Sequence, residues 1–160
     1  MGSTATLVGL FDGHFLLNQV GDSRAYLVRE DGVVQLTHDQ SFAQHLLDTG
    51  RITERQASEM GNKNIILQAL GPAPTITVVQ TLHPISRGDI VLLCSDGLTR
   101  VVEAAELQTT VLEAPNLPKA CDRLVDLANA RGGPDNITVV LAELTGNGLP
   151  LPEEDDTRLD

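Results

Sequence analysis

No run in the sequence approaches the roughly 20 consecutive apolar residues that a membrane-spanning helix needs. The N-terminus also lacks the basic-then-apolar order of a secretory signal, so the expectation is a cytoplasmic protein with no membrane partner. Cationic side chains are scarce: 11 Lys and Arg stand against 22 Asp and Glu, for a formal charge of -11. Such a surface repels the phosphates of nucleic acids, which argues against them as partners and leaves room for cations. The two cysteines, Cys94 and Cys121, form no C-x-x-C pair, so buried reduced thiols are expected rather than a disulfide or a zinc site. None of the histidines His14, His38, His45 and His83 has a partner at metal-ligand spacing. Neither Ser23 nor Ser95 sits in G-x-S-x-G, which removes the motif of a serine hydrolase.

What is present is a globular pattern. With 160 residues, 41% of them hydrophobic, the chain is one domain or part of one. From Thr4 to Thr37 it reads as a β-meander, with turns at Asp12-Gly13, Gly21-Asp22 and Asp31-Gly32 between β-branched and aliphatic runs. "SFAQHLLDTG" changes to helical period, with Phe42, Leu46 and Leu47 on one face and Gly50 as the stop. Thr53 and Gln56 have capping-box spacing and predict a second short helix. Strands are expected again in "NIILQAL", "TITVVQTL" and "DIVLLCS", then a helix over Ala104 to Leu112. A longer helix follows, with its stripe at Leu117, Ala120, Leu124 and Leu127, before a closing strand "NITVVLAEL". The fold class is therefore α+β, most simply antiparallel sheet packed against helices. Residues 1–145 hold the domain, and 146–160, rich in Pro, Gly and acids, read as a disordered tail or linker.

Most Asp-Gly and Gly-Asp pairs serve turn geometry, and Asp12-Gly13, Asp31-Gly32 and Gly88-Asp89 are read that way. Asp22 in "VGDSR", Asp96 in "LLCSDGL" and Asp135 in "GGPDNITVV" differ, since each adjoins the end of an apolar strand. A sandwich of those strands brings three carboxylates to one rim, where a hard cation such as Mg²⁺ or Mn²⁺ would relieve their repulsion. The bland alternative is three more turn aspartates. A third reading takes Cys94 and Arg100, separated by five residues, as a thiol phosphatase loop. That chemistry needs a depressed thiol pKa, whereas Asp96 puts negative charge inside the loop and Cys94 extends the apolar run "IVLLC".

Five separated stretches, "GSTATLV", "NQVGDSRAYLVREDGVVQLTHDQS", "NIILQALG", "GDIVLLCSDGLT" and "GGPDNITVVL", resemble in order the C-terminal motifs of the metal-dependent serine/threonine protein phosphatases of type 2C, especially the compact bacterial members. The resemblance implies an α-β-β-α sandwich of two antiparallel sheets flanked by helices. It also implies a binuclear Mn²⁺ or Mg²⁺ centre that activates water to hydrolyse phosphoserine and phosphothreonine in proteins, the targets of a serine/threonine kinase. By that resemblance Asp96 and Asp135 are the catalytic metal ligands, and Asp22 is an accessory ligand for a third ion.

The sequence departs from the family pattern in places. Gln40 stands where "LT-x-DHS" has histidine, and Gln68 replaces the arginine of "RALG"; neither position is a metal ligand in the family. The segment with "R-x-x-N-E-D" and "D-G-M-G-G-H" has no counterpart here, and Asp12-Gly13-His14 only mimics it. The expectation is thus an N-terminally truncated domain, about the last two thirds, with sheet edges exposed to self-association or a partner. A non-catalytic pseudophosphatase fragment that binds proteins is the alternative function.

Overall fold

A computed structural model describes residues 1–61 and 65–151. Asp12 and Gly13 take left-handed backbone, with φ of 45° and 71°. They form the two-residue turn that joins strand β1 (Ala5–Phe11) to β2 (His14–Val20), with Phe11 opposite His14. A second hairpin joins β3 (Arg24–Arg29) to β4 (Gly32–Gln35), Arg29 pairing with Gly32.

The predicted meander breaks between the two hairpins. β2 pairs with β1 and β5 (Val79–Pro84), whereas β3 pairs with β4 and β6 (Ile90–Cys94), so Gly21-Asp22 passes the chain from one sheet to the other. Gly21 makes this possible with a φ of 105°, and a Cβ on it would lie 2.4 Å from Thr4 Cγ2. The sheets are β1-β2-β5 and β4-β3-β6-β7, the last strand being Val139–Glu143, and every pairing is antiparallel. The α+β sandwich expected from the sequence is the observed architecture.

Phe15, Leu17, Ala25, Leu27 and Val91 fill the space between the sheets. A second core lies on the other face of the four-stranded sheet, where α4 (Ala104–Leu112) and α5 (Leu117–Ala130) pack with Leu107 and Leu124 against Val28 and Leu92. Each such side chain, removed from water, contributes roughly 1.5–3 kcal/mol. Asn116 starts α5 by accepting from the Lys119 amide at 3.0 Å, and Ala120, Leu124 and Ala128 are its buried stripe. Between β4 and β5 come α1 (Phe42–Asp48), stopped by Gly50 at φ 65°, and α2 (Glu54–Glu59), which opens with the expected Thr53–Gln56 capping box.

Two expected strands are shorter or absent. Residues 65–70 of "NIILQAL" form only isolated bridges, Ser41 with Ile66 and Ser3 with Leu70, because their amides and carbonyls go to two separate partners rather than one ladder; Asn64 lies outside the described residues. "TITVVQTL" joins the sheet only from Val79. The Thr77 amide donates to Gln68 Oε1 at 3.1 Å and its carbonyl accepts from Gln40 Nε2 at 2.9 Å, which holds that backbone off the ladder.

The sandwich is open on one side. Val8 and Leu10 of β1 and Val140 and Ala142 of β7 line a slot of ≈ 250 Å³ between the sheets, with Leu10 63% and Val140 50% exposed. The outer face of the three-stranded sheet presents Leu7, Phe11 and Leu82 to solvent. After Gly146 the chain folds back on the β5–β6 turn. The Arg87 amide donates to the Pro150 carbonyl at 2.7 Å, and Leu149 packs against the inter-sheet core. Residues 152–160, which carry the rest of the expected acidic tail, lie outside the described residues.

Candidate functional site

The switch between sheets sets Asp22 at the rim. The Gly21 amide before it donates to Gln40 Oε1 at 2.8 Å, and the Gly21 carbonyl accepts from the Gln40 amide and from Gln19 Nε2 at 3.0 and 3.1 Å. Gln19 is 1% exposed, so this tether is buried and well defined.

Asp96 sits where β6 ends, as the first residue of the single-turn helix α3 (Asp96–Thr99). Ser95 occupies the N-cap position yet makes no side-chain cap, because its hydroxyl is engaged elsewhere. It donates to the Asn136 carbonyl and accepts from the Thr138 amide, each at 3.0 Å. Gly97 lets the two segments touch, since a Cβ there would lie 2.5 Å from the Asn136 carbonyl oxygen. Asp135 is thereby drawn beside Asp96, and its carboxylate accepts from the Asn136 amide at 2.8 Å.

Arg100, one turn beyond Asp96, reaches both acids: Nη2 pairs with Asp96, and Nη1 lies 3.2 Å from Asp135 Oδ2. One cation-sized group thus spans Asp96 and Asp135. Across the cleft, Arg24 binds Asp39 through Nε and Nη2, at 2.7 Å for the shortest contact. Asp22, Arg24, Asp39, Asp96, Thr99 and Arg100 line a cavity of ≈ 260 Å³ that α1 and α2 flank with Gln44, Leu47 and Ala57.

The electrostatics single out Asp22. Burial, followed by the nearby charges of Asp96 and Asp39, pushes its carboxyl up to about 6, only partly opposed by Arg100. Asp39 and Asp96 have arginine partners; Asp22 has no ion pair among the described residues. All the donors are oxygens, which suits a hard divalent cation. Among the described residues, no three His, Cys, Asp or Glu side chains close on one point. The fit is therefore in donor chemistry and in the shared contact of Asp96 and Asp135 with Arg100; Asp22 lines the cavity with Asp96, while Asp135 is not part of that lining.

Cys94 is 5% exposed in the core under α4 and α5, and burial pushes its thiol up to about 12. That is the wrong direction for a nucleophile, and Arg100 is engaged by carboxylates rather than turned to an anion site. The thiol phosphatase loop is thereby set aside. Sequence reasoning did not single out Arg24 and Asp39. Arg24 opens β3 two residues after the Gly21-Asp22 crossing, so the short stretch "GDSR" holds both rim residues. Asp39 has no comparable local cue, because a loop carries it to the rim.

A sandwich of antiparallel sheets with carboxylates gathered at one rim defines a class that comparison with known proteins makes specific. The family model described as protein phosphatase 2C matches residues 1–70. The serine/threonine phosphatase stp of Listeria innocua is 39% identical over 143 residues, covering 89% of this chain and 57% of that protein. The crystal structure of the Mycobacterium tuberculosis serine/threonine phosphatase PstP/Ppp superimposes with a TM-score of 0.85 at 37% identity, over 91% of this chain and 61% of that one. A structure of the PstP catalytic domain in complex with two manganese ions gives a TM-score of 0.75 at 37% identity, over 91% and 60%. The chain thus resembles the protein phosphatase 2C family, by the model match over residues 1–70 and by similarity to serine/threonine phosphatases over about nine tenths of its length. It spans about three fifths of the length of the relatives described.

Proposed function

We propose that the chain serves a type 2C-like serine/threonine protein phosphatase, hydrolysing phosphoserine and phosphothreonine in proteins, with Asp96 and Asp135 as ligands of Mn²⁺ or Mg²⁺ and Asp22 as an accessory ligand. The observation that carries this is the convergence of Asp96 and Asp135 on Arg100, with Asp22 lining the same cavity as Asp96 and Arg100. A bound divalent cation would lower the pKa of water and offset the charge that develops on the phosphoryl group. The protein's own part is to hold the carboxylates in place and to offer an open cleft beside α1 and α2. The two manganese ions in the related PstP structure support this choice of cofactor.

The test is hydrolysis of p-nitrophenyl phosphate by the chain with Mn²⁺ and with EDTA. Metal-dependent turnover is expected, and Asp96→Ala should lower it on the order of 100-fold or more, since several kcal/mol of charge stabilisation are at stake. Turnover that survives EDTA, or that Asp96→Ala leaves intact, sinks the reading. Substrates among the targets of a serine/threonine kinase and a cytoplasmic location belong to the same proposal. No helix among the described residues is long and apolar enough to cross a membrane.

A second reading has its own observation, the open slot at β1 and β7 with Leu10 and Val140 exposed. In it the chain is a non-catalytic pseudophosphatase fragment that binds proteins, or associates with itself, through that edge. Light scattering over a concentration series distinguishes it: a monomer that turns over substrate favours the first reading, an inactive oligomer the second.

A further inference from the structure

Ser95 is an N-cap serine that leaves its helix uncapped. In most helices such a hydroxyl accepts from an amide of the first turn. Here it lies between the Asn136 carbonyl and the Thr138 amide, at 3.0 Å from each, while the Ser95 amide donates to the Thr138 carbonyl at 3.1 Å. These three bonds continue the β6–β7 pairing past its last register pair, Cys94 with Val139. They stop at the residue beside Asp135, and Gly97 seats the same Asn136 carbonyl against α3.

We propose that Ser95 is a positioning residue: by tying residues 136–138 to the start of α3, its hydroxyl sets the placement of the Asp135 carboxylate relative to Asp96. Nothing else on the β6 side holds Asp135 through a hydrogen bond among the described contacts except Arg100, a long side chain with many rotamers. The backbone clasp is the rigid part of the arrangement, and the Ser95 hydroxyl supplies two of its three bonds. The hydroxyl touches no reacting group and acts only through Asp135. The proposal rests on the reading of Asp96 and Asp135 as cation ligands.

The experiment is calorimetric titration of Mn²⁺ into the full chain and five variants: Ser95→Ala, Ser95→Thr, Asp135→Asn, Asp96→Ala and the double variant Ser95→Ala/Asp135→Asn. Supports of ligating carboxylates are typically worth 10–100-fold in affinity, so Ser95→Ala should weaken Mn²⁺ binding by about tenfold or more. Ser95→Thr should restore it, because the hydroxyl is kept and Ser95 lines a separate open cleft with Ser23, Thr138 and Val140, where a methyl group has room. In the Asp135→Asn background Ser95→Ala should be silent, since there is no carboxylate left to place. Losses that add in the double variant, or an unchanged affinity for Ser95→Ala, overturn the proposal.

Hydrogen exchange at the Thr138 amide reads the clasp without any metal. Protection there should fall in Ser95→Ala and persist in Ser95→Thr; retained protection in Ser95→Ala also overturns the proposal. If Asp96→Ala binds Mn²⁺ as the parent does, the ligand reading fails instead, and the exchange measurement still decides whether Ser95 holds the loop.

Discussion

Asp22 and Asp89 each follow a glycine with positive φ, 105° at Gly21 and 89° at Gly88, and in sequence the two dipeptides look alike. Their surroundings differ completely. Asp89 is 1% exposed and receives Arg29 Nε at 2.6 Å, Arg29 Nη2 at 2.9 Å and the Ser86 amide at 2.8 Å. Reading Gly88-Asp89 as a turn was right for the backbone and incomplete for the side chain, because its cation comes from a strand 60 positions away. At Asp22 burial, and after it the charges of Asp96 and Asp39, push the carboxyl up, whereas Asp89 is paired with Arg29. Removing one partner of a buried pair strands the other, so Asp89→Ala should cost about 3–5 kcal/mol in urea unfolding. A loss below about 1 kcal/mol, the range of exposed pairs, would mean that the Arg29 contact is ornamental.

At the scale of elements, what the sequence carries locally was legible. The Asp12-Gly13 turn, the Thr53–Gln56 capping box, the Gly50 stop and the α5 stripe each depend on residues within a turn of one another, and all form. What failed depends on distant partners. A tight turn at Gly21-Asp22 reads the same whether the next strand pairs with the last one or crosses to a facing sheet. The Leu67 and Leu70 amides donate to the Gln40 and Ser3 carbonyls, the Ile65 carbonyl accepts from the Phe42 amide, and the Thr77 amide donates to Gln68 Oε1, none of which periodicity reveals. The same division holds for the site: the strand-end positions marked Asp22, Asp96 and Asp135, but not that Arg100 would join two of them. The exposed face of β1-β2-β5 gives a prediction at this scale. Leu7 and Leu82 are 63% and 56% exposed on its outer side, so Leu7→Lys/Leu82→Lys should change stability by no more than about 0.5 kcal/mol per site. If that face mediates association, the same pair should shift the chain toward monomer in light scattering. If the oligomer is unmoved, association belongs to another surface such as the slot.

For the whole molecule the relevant quantity is the response to acid. At pH 7 the formal charge is -11, and lowering the pH toward the isoelectric point near 4.6 reduces self-repulsion, which favours the compact state. His83 works in the opposite sense. It lies on the inward side of β5, opposite Phe15, with its ring 3.1 Å from Thr81 Oγ1. Burial holds its pKa below the usual 6.5, against a smaller upward pull from the Leu36 backbone. The unfolded chain therefore takes up the His83 proton first as the pH falls. Unfolding gains from that uptake below about pH 6.5, the unperturbed value, whereas above it both states are neutral at this position and the contribution is flat. His83→Gln removes the titration and keeps a polar end near Thr81. The loss of unfolding free energy between pH 7.5 and pH 5 should then be smaller in the variant than in the parent, as measured by urea titration at the two pH values. An equal or larger loss would assign the acid response to the carboxylates and not to this half-buried ring.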